Sequence, residues 1–217
     1  MTEASTEITV NAREPLLKKL LVATRNPGKA REMAAVLADL PLTIVTLEDY
    51  PEAPNVEETG STFEENAVAK AAAYARFTGL WTIADDSGLE VDALNGAPGV
   101  FSSRFAPSDP ERIAKLLELM KDVPEHKRTA RFRCVIAIAS PEGQVETCED
   151  TLEGIIASEP RGSNGFGYDP VLYLPEFGKH VAELSPEQKN AISHRGKALR
   201  KAKAVLRKKM GLSENGS

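Results

Sequence analysis

Asp85 and Asp86 stand side by side at the end of an apolar run, LWTIA, and lead into Ser87-Gly88. Adjacent carboxylates beside a buried segment cost free energy unless cations or hydrogen bonds compensate them. A second acidic pair, Glu57-Glu58, lies upstream in the proline-containing stretch EDYPEAPNVEETG. Hard oxygen ligands gathered from separate segments suit magnesium, which keeps several waters and bridges to substrate phosphates. A carboxylate in such a cluster is also placed to deprotonate water. On spacing alone, a solvated acidic loop accounts for Glu57-Glu58 and a turn with one capping aspartate for Asp85-Asp86.

Cations that would complement a polyanion occur at two places. In Thr24-Arg25-Asn26-Pro27-Gly28-Lys29, a strand-to-helix turn brings free backbone N–H groups and the positive end of a helix dipole together. Lys29 and the Thr24 hydroxyl add donors. The Walker pattern GxxxxGK[ST] is absent, and an ordinary capped helix start has the same composition. Lys70 follows Phe63 by seven residues and points within roughly 20° of the same direction, so it belongs to a buried stripe. Contact with phosphate and snorkelling along the core edge both fit that position.

A glycine-rich loop, Gly162 to Pro170, carries Phe166, Gly167, Tyr168 and Asp169, and Lys189, Ser193, His194 and Arg195 follow downstream. An aromatic ring offers a nucleobase a stacking surface. Aspartate accepts from a base N–H, and Arg or His donates to a base carbonyl. A core aromatic and a polar helix start would explain the same residues one at a time. Together with the carboxylates and lysines they describe a pocket for a nucleotide.

The elements that must position these groups alternate. Leu16–Thr24 reads as a strand, and Asn26 with Pro27 opens a helix carrying Met33, Val36, Leu37 and Leu40 at helical spacing. Leu42–Leu47 is a second strand. Ser61 or Thr62, with Glu64 and Glu65 three residues on, caps a helix that ends near Gly79. Leu80–Ala84 is a short strand delivering a DDSG turn. Asp109-Pro110 is the next cap-and-proline start, Ala130–Ala139 and Gln144–Ala157 form a long hairpin, and Ser185 caps the last helical region. The pattern implies an α/β fold with a mixed sheet and a ligand site on one rim.

With 217 residues, residues 16–210 are expected to form one domain, between an extension at 1–15 and a tail at 211–217. A net charge of -5 argues against a nucleic-acid binder. No apolar stretch approaches a membrane span, and the polar N-terminal stretch lacks a signal-peptide layout, so cytoplasmic residence is expected. Cys134 and Cys148 have neither CxxC spacing nor nearby histidines and read as reduced thiols.

The blocks TRNPGK, EETGSTFEENAVAKA, IADDSGLEVDALNGAPGVFSSRFA, GFGYDP and KNAISHRGKAL, in that order, resemble the inosine triphosphate pyrophosphatase family from about Leu20 to Leu199. The resemblance implies an elongated α/β fold of two lobes around a curved mixed sheet, with the active site in the cleft, assembled as a homodimer. It implies magnesium-dependent hydrolysis of dITP, ITP and XTP to the monophosphate and pyrophosphate. Thr24, Asn26, Lys29 and Lys70 would hold the triphosphate, and Arg25, Pro27 and Gly28 complete that segment. Glu58 and Asp86 would hold the metal, Asp86 would activate water, and Asp85 would support it, neighbouring negative charge raising the Asp86 pKa. Ser87 would touch the substrate, and Phe166 to Asp169, Lys189, His194 and Arg195 would enclose the base. Arg25 departs from the small residue frequent in the family, and Ser163-Asn164 from its Thr-Gly form. A pyrophosphatase for modified pyrimidine nucleotides, of the septum-formation-inhibitor type, and a nucleotide sensor without turnover are the alternatives. GFGYDP and SHR weigh against the first, and the intact aspartate and lysine sets against the second.

Overall fold

The computed structural model describes residues 18–212; the N-terminal extension, the first two residues of the first expected strand and most of the tail lie outside them. Strand β1 (Lys18–Val22) is followed by α1 (Pro27–Leu37) and β2 (Leu42–Thr46), then α2 (Phe63–Thr78) and β3 (Trp81–Val91). A 3-10 stretch at Gly99–Arg104 precedes α3 (Asp109–Met120). The hairpin is β4 (Thr129–Ala139) and β5 (Val145–Ile156), and β6 (Leu172–Leu174), β7 (Lys179–His180), α4 (Pro186–Ile192) and α5 (His194–Met210) complete the order. One sheet runs β2-β1-β3-β4-β5-β6-β7. The pairs β1–β2 and β1–β3 are parallel, as crossover helices require, and the rest are antiparallel. The expected α/β class with a mixed sheet is therefore what is found.

The helix starts follow side-chain chemistry. Asn26 accepts from the Gly28 and Lys29 amides, Thr62 and Glu65 form a reciprocal capping box, and Gly79 closes α2 at φ 68°, a conformation glycine adopts without strain. For α3 the cap is Ser108, whose hydroxyl accepts from the Glu111 amide; Asp109, expected as the cap, is the first helical residue.

The larger correction concerns the DDSG segment, which is not a turn. Residues Asp85 to Gly88 continue β3, paired with Ile136 to Arg133 of β4. Backbone pairing with β4 outweighs the low strand propensity of Asp and Gly, because cations compensate the carboxylates. An added Cβ at Gly88 would stand 2.4 Å from Ser102 Oγ and 2.5 Å from the Gly99 carbonyl oxygen, so glycine is what lets the 3-10 stretch lie against the strand.

Helices α1 and α5 cover one face of the sheet, burying Leu20, Ile83, Ile136 and Leu199. Helix α2 covers the other, over Leu21, Ala84 and Val135. A third cluster, Leu89, Phe132, Leu152 and Leu172 with α3, packs around the far ends of β3–β5. Each fully buried aliphatic side chain contributes about 1.5–3 kcal/mol relative to exposure. The clusters on the two faces form one core region and the third cluster a second, and both share the long central strands.

Candidate functional site

A cleft of about 1000 Å³ opens between those regions. Its wall includes Thr24 to Lys29, Glu58, Lys70, Asp86, Ser87, Phe166 to Asp169, Lys189, His194 and Arg195. Of the site residues singled out in the sequence, Asp85 and Ser193 do not line it; Ser193 is buried as the N-cap of α5.

The strand period explains the Asp85 exception. Successive side chains on β3 point to opposite faces, so Asp85 follows Ile83 toward α1 and α5, and Asp86 follows Ala84 toward α2. Asp85 is 1% exposed. Its Oδ2 meets Lys29 Nζ at 2.9 Å and Arg195 Nε at 3.2 Å and accepts from the Ser87 hydroxyl at 3.0 Å, while Oδ1 has no partner. Burial opposes its charge, but Lys29, Arg195 and Lys70 outweigh burial and hold the carboxyl well below the usual range.

Asp86 accepts from the Asn66 amide at 2.9 Å and from the Ser87 N–H at 3.1 Å. Burial raises its pKa; Lys70 and Lys29 pull it back, and the Glu58 charge adds to the rise. The neighbouring negative charge expected to tune Asp86 therefore comes from Glu58. Asp85, expected in the same role, faces the other way with its charge already balanced.

Lys70 reaches this cluster from α2. It contacts the Glu58 carboxylate, donates to the Asp85 carbonyl oxygen at 2.7 Å and lies 3.8 Å from Asp86 Oδ1. Opposite it, the α1 N-terminus presents its first turn to the cleft. Thr24 Oγ1 accepts from the Asn26 N–H at 3.2 Å, and the Arg25 guanidinium turns to the Ala53 carbonyl oxygen at 3.0 Å. An added Cβ at Gly28 would lie 2.6 Å from the Phe166 ring, so a glycine in α1 lets the aromatic of the later loop approach.

Phe166 lies beneath two buried cations, with Lys189 Nζ 4.6 Å and Arg195 Cζ 5.5 Å from the ring centroid. Asp169 accepts from the Phe166 N–H at 2.9 Å and from Lys189 at 2.5 Å, pinning the loop. Gly165 adopts φ 77°, and an added Cβ there would collide with the Asp169 carboxylate at 1.9 Å. The Gly167 N–H donates to Asp109 Oδ2 at 2.7 Å, and the Tyr168 hydroxyl donates to the Ser102 carbonyl oxygen at 3.0 Å. His194 stacks on Phe132 with centroids 4.9 Å apart, and its Nδ1 has no partner. Burial, then the charges of Arg195 and Lys189, push its pKa well below the ordinary value and keep the ring neutral.

Sequence reasoning missed Glu32 and Asn66. Glu32 Oε1 pairs with Lys189 at 2.7 Å, and its other oxygen contacts Arg195. Its signal is local: it follows Lys29 by three residues on α1, hence on the same helix face. Asn66 fixes the acidic loop as well as Asp86, since its Oδ1 accepts from the Gly60 N–H at 2.8 Å. Nothing in the alanine-rich run around it marks that role.

The Ham1 family profile matches residues 20–205. The chain belongs to the Ham1 family. Curated relatives within it include the dITP/XTP pyrophosphatase of Desulforamulus reducens, 53% identical over 191 residues that cover 87% of this chain and 95% of that one. The dITP/XTP pyrophosphatase of Geobacter sulfurreducens is 52% identical over 198 residues, covering 90% and 98%. Among solved structures, a HAM1 protein from Coxiella burnetii superposes with a TM-score of 0.81 at 46% identity, covering 88% of this chain and all of that one. The resemblance drawn from the five sequence blocks and the family assignment agree.

For a Ham1 chain the question of a metal turns on its donors. Among the described residues no group of three or more His, Cys, Asp or Glu side chains is arranged to hold an ion. Glu58 and Asp86 provide two carboxylates from separate segments, and Lys70 brings one positive charge against the two. Two protein carboxylates with space for water and phosphate oxygens is the donor set magnesium takes in phosphoryl-transfer sites. The residues fit.

Proposed function

We propose that this protein hydrolyses deaminated purine nucleoside triphosphates (dITP, ITP and XTP) to the nucleoside monophosphate and pyrophosphate, with magnesium as cofactor. One observation carries the reading: a single cleft is lined by a helix N-terminus, Lys29, Lys70 and a carboxylate pair and by an aromatic ring under two buried cations. The names of the curated relatives, dITP/XTP pyrophosphatases, point the same way.

Phosphoryl transfer is mainly positioning plus charge neutralisation. The α1 amides, Lys29 and Lys70 bind the phosphates. Glu58 and Asp86 would hold magnesium, which when bound supplies charge neutralisation at the phosphate oxygens. Asp86, its pKa raised, takes a proton from the attacking water; oxygen adds to phosphorus, the α–β anhydride bond breaks, and pyrophosphate leaves. Asn66 and the Ser87 N–H hold the Asp86 carboxylate for that transfer. Asp85 keeps Lys29 and Arg195 in place.

At the base end, Phe166 gives a stacking surface, and Lys189, Arg195 and the neutral His194 face a carbonyl at purine position 6. Adenine carries an amine there, which would leave those donors unpaired, at a cost that discriminates. Homodimer assembly and cytoplasmic residence belong to the same reading; among the described residues no helix is long and apolar enough to cross a membrane.

Pyrophosphate release over ITP, dITP, XTP, ATP, GTP and dCTP, with and without MgCl2, tests this. The first three should turn over on the order of 100-fold faster than ATP, and chelation should abolish the activity. Preference for dCTP would point to the pyrimidine enzyme, and no turnover to a sensor.

A further inference from the structure

Lys70 reaches both carboxylates that would hold a divalent cation. Its ammonium touches the Glu58 carboxylate, stands 3.8 Å from Asp86 Oδ1 and is anchored on the Asp85 carbonyl oxygen. Its side chain is only 13% exposed, so water does little to screen it. Arg104 is no equivalent: its guanidinium lies 4.0 Å from Glu58 Oε2, is 44% exposed and bonds to the Glu58 carbonyl oxygen. Asn66 and the Ser87 N–H bring no charge to Asp86. Lys70 is thus the cation in contact with the two carboxylates, and a second cation placed between them would meet its repulsion at short range in a poorly screened site.

The stem of Lys70 is a flexible four-carbon chain, and the other phosphate-binding groups, Lys29 and the α1 amides, line the same cleft. A triphosphate bound there offers the ammonium another anionic partner. We propose that Lys70 is a resident counter-cation of the Glu58–Asp86 pair that keeps divalent cations out until a triphosphate draws it away. Cation and nucleotide binding are then coupled, each tightening the other by the same factor. The free protein holds divalent cations weakly, and the carboxylate pair keeps one positive charge beside it between turnovers. This inference rests on the assignment of Glu58 and Asp86 as the magnesium ligands.

The test is Mn2+ binding to nucleotide-free protein, read by the loss of the free-ion electron paramagnetic resonance signal. Lys70→Gln and Lys70→Met should each bind Mn2+ at least about tenfold more tightly than the unaltered protein, and adding Glu58→Gln should remove the gain. On unaltered protein, acylation of the Lys70 amine, followed by peptide mass spectrometry, should speed up as MgCl2 is raised without nucleotide; this holds the test open if the variants do not fold. Equal or weaker Mn2+ binding by the variants, or an unchanged labelling rate, overturns the proposal. Tighter binding by the variants, with no triphosphate hydrolysed by the unaltered protein, would instead overturn the functional reading and leave the cation competition standing.

Discussion

The two faces of β3 treat adjacent, chemically identical side chains in opposite ways. Asp85 enters a shell of fixed positive charge, Lys29 and Arg195, and its carboxyl stays ionised far into acid. Asp86 enters a shell in which burial and Glu58 oppose its charge, and its pKa rises. Burial is common to both, so the balance of charges decides the outcome: Lys29, Arg195 and Lys70 outweigh burial at Asp85, whereas Lys70 and Lys29 do not outweigh burial and Glu58 at Asp86. One aspartate holds the scaffold together while its neighbour is left able to exchange a proton.

The sharpest way to break that comparison is to neutralise each in turn. Asp86→Asn should lower kcat by about 10²–10⁴, the usual worth of a general base, while unfolding free energy stays within about 1 kcal/mol, because the substitution removes an incompletely compensated buried charge. Near-normal turnover would take Asp86 out of the base role. Asp85→Asn should do the reverse in stability: it takes the carboxylate from Lys29 and leaves Arg195 with Glu32 alone, and breaking a buried ion pair costs about 3–5 kcal/mol, measured by denaturant unfolding. Equal stability losses for the two variants would mean that the faces of β3 do not differ as described.

A smaller effect comes from His194, on the Asp85 face. Its folded pKa is depressed below the unfolded value of about 6.5, so the unfolded chain takes up the proton first as pH falls. Its contribution is full above about pH 6.5 and is lost progressively below it, by at most about 2 kcal/mol at pH 5. Denaturant unfolding at pH 8 and pH 5 should show a shallower pH dependence for His194→Phe than for the unaltered protein; parallel curves would mean the imidazole titrates freely in the folded state.

Much of this architecture was legible in the chain. Asn26-Pro27, Thr62 with Glu65, Gly79 and Ser185 are local devices whose chemistry acts within a few residues, so their helix boundaries could be read directly. The seven-residue spacing of Phe63 and Lys70 placed that lysine on the sheet-facing stripe, where it is found against Glu58 and Asp86. The DDSG segment misled because aspartate and glycine signal turns locally, whereas here cross-strand pairing with β4 and cations from α1, α2 and α5 keep them extended. Glu32 escaped notice for the same kind of reason: its two partners lie more than 150 residues away in sequence.

The sequence alone determined which groups were available and where short-range rules apply: the capped helix starts, the α/β alternation, and the five blocks that carry the family resemblance. Only the tertiary structure decided what each charge does, because electrostatic interactions depend on distance and burial, and the chain reveals neither for residues far apart along it. It is the fold that turns Asp85 toward Arg195, turns Asp86 toward Glu58, and sets Lys70 between the two acidic segments.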